Sequence, residues 1–104
     1  MTNFHFEMYQ GSAESIYLRT TVEGQPKDLR SANVRGTIKR DKHGEPLGTF
    51  DVTADEHGAL FTLSAETTKA IDLHGDVEVL YYDIFIDDEC VLYGTIRMIG
   101  GVTK

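Results

Sequence analysis

Apolar and polar residues alternate along most of this 104-residue chain. A period of two is the signature of extended strands with one face buried. Asn3 to Tyr9 sets Phe4, Phe6 and Met8 on one side against His5 and Glu7. After the break at Gln10-Gly11-Ser12, the run Glu14 to Val22 opposes Ile16, Leu18, Thr20 and Val22 to Tyr17, Arg19 and Thr21. Asn33 to Arg40 predicts a third strand with Val34 and Ile38 inward, and Leu47 to Thr53 a fourth with Phe50 and Val52 inward. Ala59 to Leu63 is the fifth. Two long apolar strands close the chain. Leu80, Tyr82, Ile84 and Ile86 form the inner row of one; Leu92, Ile96 and Met98 form that of the other.

Glu23-Gly24-Gln25-Pro26, Asp41 to Pro46 and Asp55 to Gly58 carry the turn residues that separate these runs. A single short helix is predicted near 64–71. Ser64 suits its N-cap, and Glu66 sits where the helix dipole favours an acid. The pattern therefore predicts an all-β chain: one domain over residues 1–104, an immunoglobulin-like antiparallel β-sandwich of about seven strands.

Charge narrows the partners. Seventeen acids against ten Lys and Arg give a net charge of -7. The bases are scattered, and Lys39-Arg40-Asp41-Lys42 is interrupted by an acid, so no face is built to displace counterions from nucleic acid. The single cysteine, Cys90, excludes an intrachain disulfide and reads as a small, half-buried apolar residue. The segment MTNFHFEM lacks the basic start and apolar stretch of a signal peptide. No run approaches the roughly 20 apolar residues that span a bilayer. A soluble protein made in a cytoplasm, with no membrane partner, is the expectation.

Catalytic chemistry finds no foothold. His43, His57 and His74 each precede a glycine, and they lie on separate turns without the close ligand pair usual for zinc. Glycines supplying positive φ at turns explain the pattern, so no metal is expected. The acids at Asp51, Asp55 and Glu56, and at Asp87, Asp88 and Glu89, lack the alternate-position pattern of a calcium loop and read as solvated turns. No serine elbow, phosphate loop or dinucleotide fingerprint is present. A non-enzymatic protein without cofactors follows.

Apolar residues on the outward parity of the last two strands carry the functional expectation. If Tyr82, Ile84 and Ile86 face in, Tyr81 and Phe85 face out, beside Val91, Tyr93, Arg97 and Ile99 of the neighbouring strand. Exposed aromatics with an arginine suit a protein contact.

The order of these pieces resembles a family of small immunoglobulin-like β-sandwich proteins of tailed-bacteriophage virions, typified by the N-terminal domain of the baseplate upper protein. The similarity runs over essentially the whole chain. It rests on Met8-Tyr9-Gln10-Gly11-Ser12, Pro26-Lys27-Asp28-Leu29, Leu63-Ser64-Ala65-Glu66-Thr67-Thr68, and Tyr82-Asp83-Ile84-Phe85-Ile86 followed by Leu92-Tyr93-Gly94-Thr95-Ile96. Ser12 stands where an acid is usual, and Gly100 to Lys104 replaces a proline-containing tail. The resemblance implies a structural protein of the tail, baseplate or neck, made in the bacterial host cytoplasm and built into the virion. Its partners would be other virion proteins or copies of itself in a ring or shell. A capsid decoration protein, and a carbohydrate- or cell-surface-binding module using the exposed tyrosines, are the alternatives.

Overall fold

The computed structural model describes residues 2–19, 21–22, 24–26, 28–42 and 44–100. Thr20, Glu23, Lys27, His43 and residues 101–104, on which some expectations above fall, lie outside the described residues. Along the chain run β1 (Thr2–Asn3), β2 (Phe6–Tyr9), β3 (Glu14–Arg19), β4 (Thr21–Val22), β5 (Gln25–Pro26), β6 (Val34–Lys39), β7 (Pro46–Thr49), β8 (Asp51–Ala54) and β9 (Gly58–Leu63). Helix α1 (Ala65–Ala70), β10 (Val77–Ile86) and β11 (Glu89–Ile99) follow. Taking β1 with β2, β3 with β4, and β7 with β8 as single stretches recovers the expected strands, with β5 a two-residue addition.

Two sheets face each other. One has the order β1-β11-β10-β6-β7, with β2 also on β11; the other is β3-β9-β8. This is the strand order of an immunoglobulin-type sandwich, in which the second, fifth and fourth strands oppose the third, sixth and seventh. Pairing is antiparallel throughout the two facing sheets except at the N-terminus, where β1 and β2 run parallel to β11.

The stretch 46–54 serves both sheets. Its first half pairs with β6 and its second with β9, and Phe50 marks the crossing. The Phe50 N–H donates to the Gly36 carbonyl at 3.0 Å. Its ring packs edge-on to Phe61 and tilted against Tyr82, with centroids 6.2 and 5.9 Å away. Gly36 makes the crossing possible, because a Cβ there would lie 2.7 Å from that ring.

The interior holds the expected rows: Leu80, Tyr82, Ile84 and Ile86 from β10, Leu92, Ile96 and Met98 from β11, with Met8, Ile38, Phe61 and Leu63. Leu29, from the link after β5, is fully buried too, and its N–H donates to the Asp55 carbonyl. Phe4 departs from expectation. The strand breaks at Phe4-His5 between β1 and β2, so Phe4 stacks on Phe6 but stays 45% exposed. The break is filled by His5, whose Nδ1 accepts from the Thr95 N–H at 3.0 Å in place of a backbone carbonyl.

Ser64 caps α1 as expected, accepting from the Thr67 N–H. The helix is held down by Thr68, fully buried, whose hydroxyl donates to the Ser12 carbonyl at 2.8 Å and accepts from the Gly11 N–H at 3.1 Å. An ion pair fastens the link between α1 and β10 at the same end of the sandwich. Both Glu78 oxygens accept from Arg40, one also accepts from the His74 N–H, and Arg40 donates on to the Asp72 carbonyl.

Burial alone would push the Glu78 carboxyl up, but the His74 N–H and the Arg40 guanidinium hold it below its ordinary 4.5. A carboxyl depressed on folding adds stability that is fully present above its unfolded pKa and is lost as pH falls through the folded one. Urea titrations from pH 7 to pH 3 are therefore expected to show a steeper loss in the native protein than in Glu78→Gln. Equal slopes would remove Glu78 from the acid response.

Candidate protein interface

Strand register assembles the outer face of the larger sheet row by row. Tyr9 pairs with Ile99 and Ile99 with Val77; Glu7 pairs with Arg97 and Arg97 with Val79. Next come Thr95, Tyr81 and Lys39, then Asn3, Tyr93, Asp83 and Thr37. The last row runs from Cys90 through Phe85 to Arg35. Side chains directly opposite on neighbouring strands share a face, so these rows form one continuous surface.

The predicted residues do not contribute equally. Tyr93 is open, at 39% exposure, and Ile99 is half-buried in the first row. Arg97 is exposed but already engaged by Glu7. Tyr81 and Phe85 point outward as expected, yet each lies under a cation of its own chain. The Lys42 ammonium is 5.8 Å from the Tyr81 centroid and the Arg35 guanidinium 4.8 Å from that of Phe85. Such cation–π contacts cover a ring without removing it from reach.

Val91 is a correction. The register shifts between Ile84 and Phe85, so that Ile84 pairs with Leu92 and Phe85 with Cys90, leaving Val91 as the extra residue. It is half-buried and packs against the core, while Cys90 takes the place beside Phe85. Burial and the nearby Asp83 push the Cys90 thiol up, away from the reactive thiolate.

The two most open apolar side chains of this face, Tyr9 and Val79, were not among those predicted, and neither was Val77, which is as open as Tyr93. Tyr9 is 50% exposed, Val79 48% and Val77 39%, and they adjoin Ile99 at one end of the face. Val77 and Val79 share the parity of Tyr81, a signal present in the sequence. Tyr9 joins them only through the parallel pairing of β2, which alternation does not encode. Between Tyr81 and Tyr93 lies a shallow dimple of about 210 Å³, bordered by Lys39, Lys42, Asp83 and Cys90. Lys39 and Asp83 face each other across it at 3.8 Å.

The acidic turns have structural employment. Asp55 accepts from the His57 and Gly58 N–H groups and from the Tyr17 hydroxyl, and the His57 N–H bond leads the causes that hold its carboxyl low. Asp87 sits at φ 56° and accepts from the Asn33 N–H. Among the described residues no group of three or more His, Cys, Asp or Glu is placed to hold a metal ion, and His43 lies outside them. Of the described His-Gly turns, one follows the sequence reading and one departs from it. Gly75 has positive φ, at 113°, whereas Gly58 serves close packing, since a Cβ there would meet the Leu18 carbonyl.

Compared with known protein families and with curated proteins, the chain matches no family and no curated relative.

Proposed function

We propose that this protein is a non-enzymatic assembly component that works through protein–protein contact on the outer face of its larger sheet. Placement in the tail, baseplate or neck of a bacteriophage virion is the setting that its sequence resemblance supports. The observation that carries the contact reading is the open apolar end of that face. Tyr9, Val77, Val79 and half-buried Ile99 adjoin there, with the Arg97–Glu7 ion pair inside the patch and Tyr93 two rows away. Contiguous apolar area edged by aromatics and a held arginine is how a protein contact is built.

Immunogold electron microscopy on particles of the phage encoding the chain tests the reading. Label at one fixed position on the particle is the expected result. A Val79→Asp variant, altering a surface side chain only, is expected to remain folded and to be missing from particles. Particles free of label, or equal incorporation of the variant, would overturn it.

One feature favours a second reading, a carbohydrate-binding module. The dimple between Tyr81 and Tyr93 offers two aromatic rings with a lysine and a carboxylate, the groups that hold a sugar ring. Saturable glycan binding that is lost in Tyr81→Ala and Tyr93→Ala would establish it.

A further inference from the structure

The core is short of a strand on one side. Both β1 and β2 pair with β11, so among the described residues nothing pairs with the outer edge of β3. Edge strands of natural proteins are commonly guarded by a proline, a lysine or a bulge. β3 has none of these: its six residues, Glu14 to Arg19, run in unbroken register with β9. Two of its outward side chains lean back over their own sheet and leave the edge clear. The Ser15 hydroxyl bonds that of Thr62 at 3.0 Å, and the Tyr17 hydroxyl donates at 2.9 Å to Asp55, in the turn between β8 and β9.

Beside this edge the interior opens sideways. A cleft of about 330 Å³ is lined by Phe4 and Phe6 from the N-terminal stretch and by Ile16 from β3, with Glu7, Glu14 and Ser15 at its margin. Ile16 and Leu18 face the interior but are only half-buried, and Phe4 is largely open. Glu14 shares the inward parity of Ile16 and Leu18 and so stands at the cleft, whereas Arg19 shares the outward parity of Tyr17. Both charges are exposed, and neither forms an ion pair among the described residues.

We propose that the β3 edge and its cleft receive an extended segment of a partner protein, one that reads acid, apolar, polar, apolar, polar, base and lies antiparallel to β3. In strand addition the backbone bonds supply affinity and alternate side chains supply specificity. Parity dictates the pattern, because side chains directly opposite across a strand pair share a face. Guest residues opposite Leu18 and Ile16 enter the cleft and are apolar. The one opposite Glu14 falls on that same face, where a base meets an unpaired acid. Those opposite Tyr17 and Ser15 turn to solvent and are polar. The residue opposite Arg19 also turns outward, where an acid is favoured. The antiparallel direction continues the pairing of β3, β9 and β8 and is the more stable per residue. β3 itself reads acid, polar, apolar, polar, apolar, base. It is out of phase with this pattern by one residue, so a second β3 is not the occupant.

Such a segment would belong to one of the partners in the assembly reading, on which this rests, yet its test needs no virion. The probe is the capped hexapeptide Glu-Val-Thr-Val-Thr-Lys, titrated to about 5 mM into the isotope-labelled whole chain to reach millimolar complexes. Saturable amide shifts along β3 and at Phe4 and Phe6 are the expected result. The charge-exchanged peptide Lys-Val-Thr-Val-Thr-Glu is expected to bind about tenfold more weakly. A chain carrying both Glu14→Lys and Arg19→Glu is expected to reverse that preference, and the reversal also shows that the variant is folded. Replacing both valines of the peptide by asparagine is expected to abolish binding, and Val79→Asp to leave it unchanged. No saturable shift at β3, equal binding of the two charge orders, or binding without the valines overturns the β3 edge and leaves the outer-face reading standing. Shifts confined to the outer face and lost in Val79→Asp overturn it as well, by assigning the peptide to that face.

Discussion

Phe61→Ala is expected to cost the protein about 3–5 kcal/mol, measured as a lower urea midpoint at unchanged slope. Phe61 is fully buried at the centre of the smaller sheet and meets Phe50 edge-on where the chain crosses between sheets. Removing the ring loses its transfer free energy and leaves a cavity, because Phe50 is pinned by the Gly36 hydrogen bond and cannot follow. A domain of this size has about 5–15 kcal/mol in total. The variant should therefore stand near the edge of folding. A cost below about 1 kcal/mol, the level of a volume-conserving swap, would mean that the crossing is looser than the packing implies.

Gly94→Ala is expected to detach the N-terminal strand at a cost of about 2–3 kcal/mol, the range of overpacking substitutions. Gly94 lies under the break between β1 and β2, and a Cβ there would meet the Phe4 carbonyl oxygen far inside contact distance. The obstacle is backbone, so no side-chain rotation relieves it. That same carbonyl accepts from the Tyr82 hydroxyl at 2.6 Å. Two signals should move together: amide exchange should quicken over residues 2–9, and the Tyr82 phenol, which burial holds up at about 12, should ionise nearer to 10. Native exchange rates in Gly94→Ala would show that the strand does not depend on this close approach.

Much of this architecture was legible as alternation. The inner rows of β10 and β11, and Ile38, Phe50 and Val52, face inward as their spacing predicts, because a strand with one buried face has no freedom to change parity. Ser64 declared its helix because a hydroxyl before a helical turn caps it. What alternation cannot carry is a local change in the count of residues. The extra residue at Val91 and the interruption at Phe4-His5 each alter which side chain faces out, and each misled the prediction by one residue. The partner of a strand was hidden as well. Tyr9 lies in the candidate interface because β2 runs parallel to β11, a long-range choice fixed by packing. Thr68 escaped notice because a threonine reads as surface until three polar neighbours surround it in the interior.

The parallel pairing of β2 with β11 has a mechanical consequence. Phe6 to Tyr9 lie in register with Ile96 to Ile99, so tension drawing the two ends of the chain apart slides one strand along the other. All the bridging bonds in that patch are then loaded at once in shear. An antiparallel arrangement at the same place would be peeled open one bond after another, at far lower force.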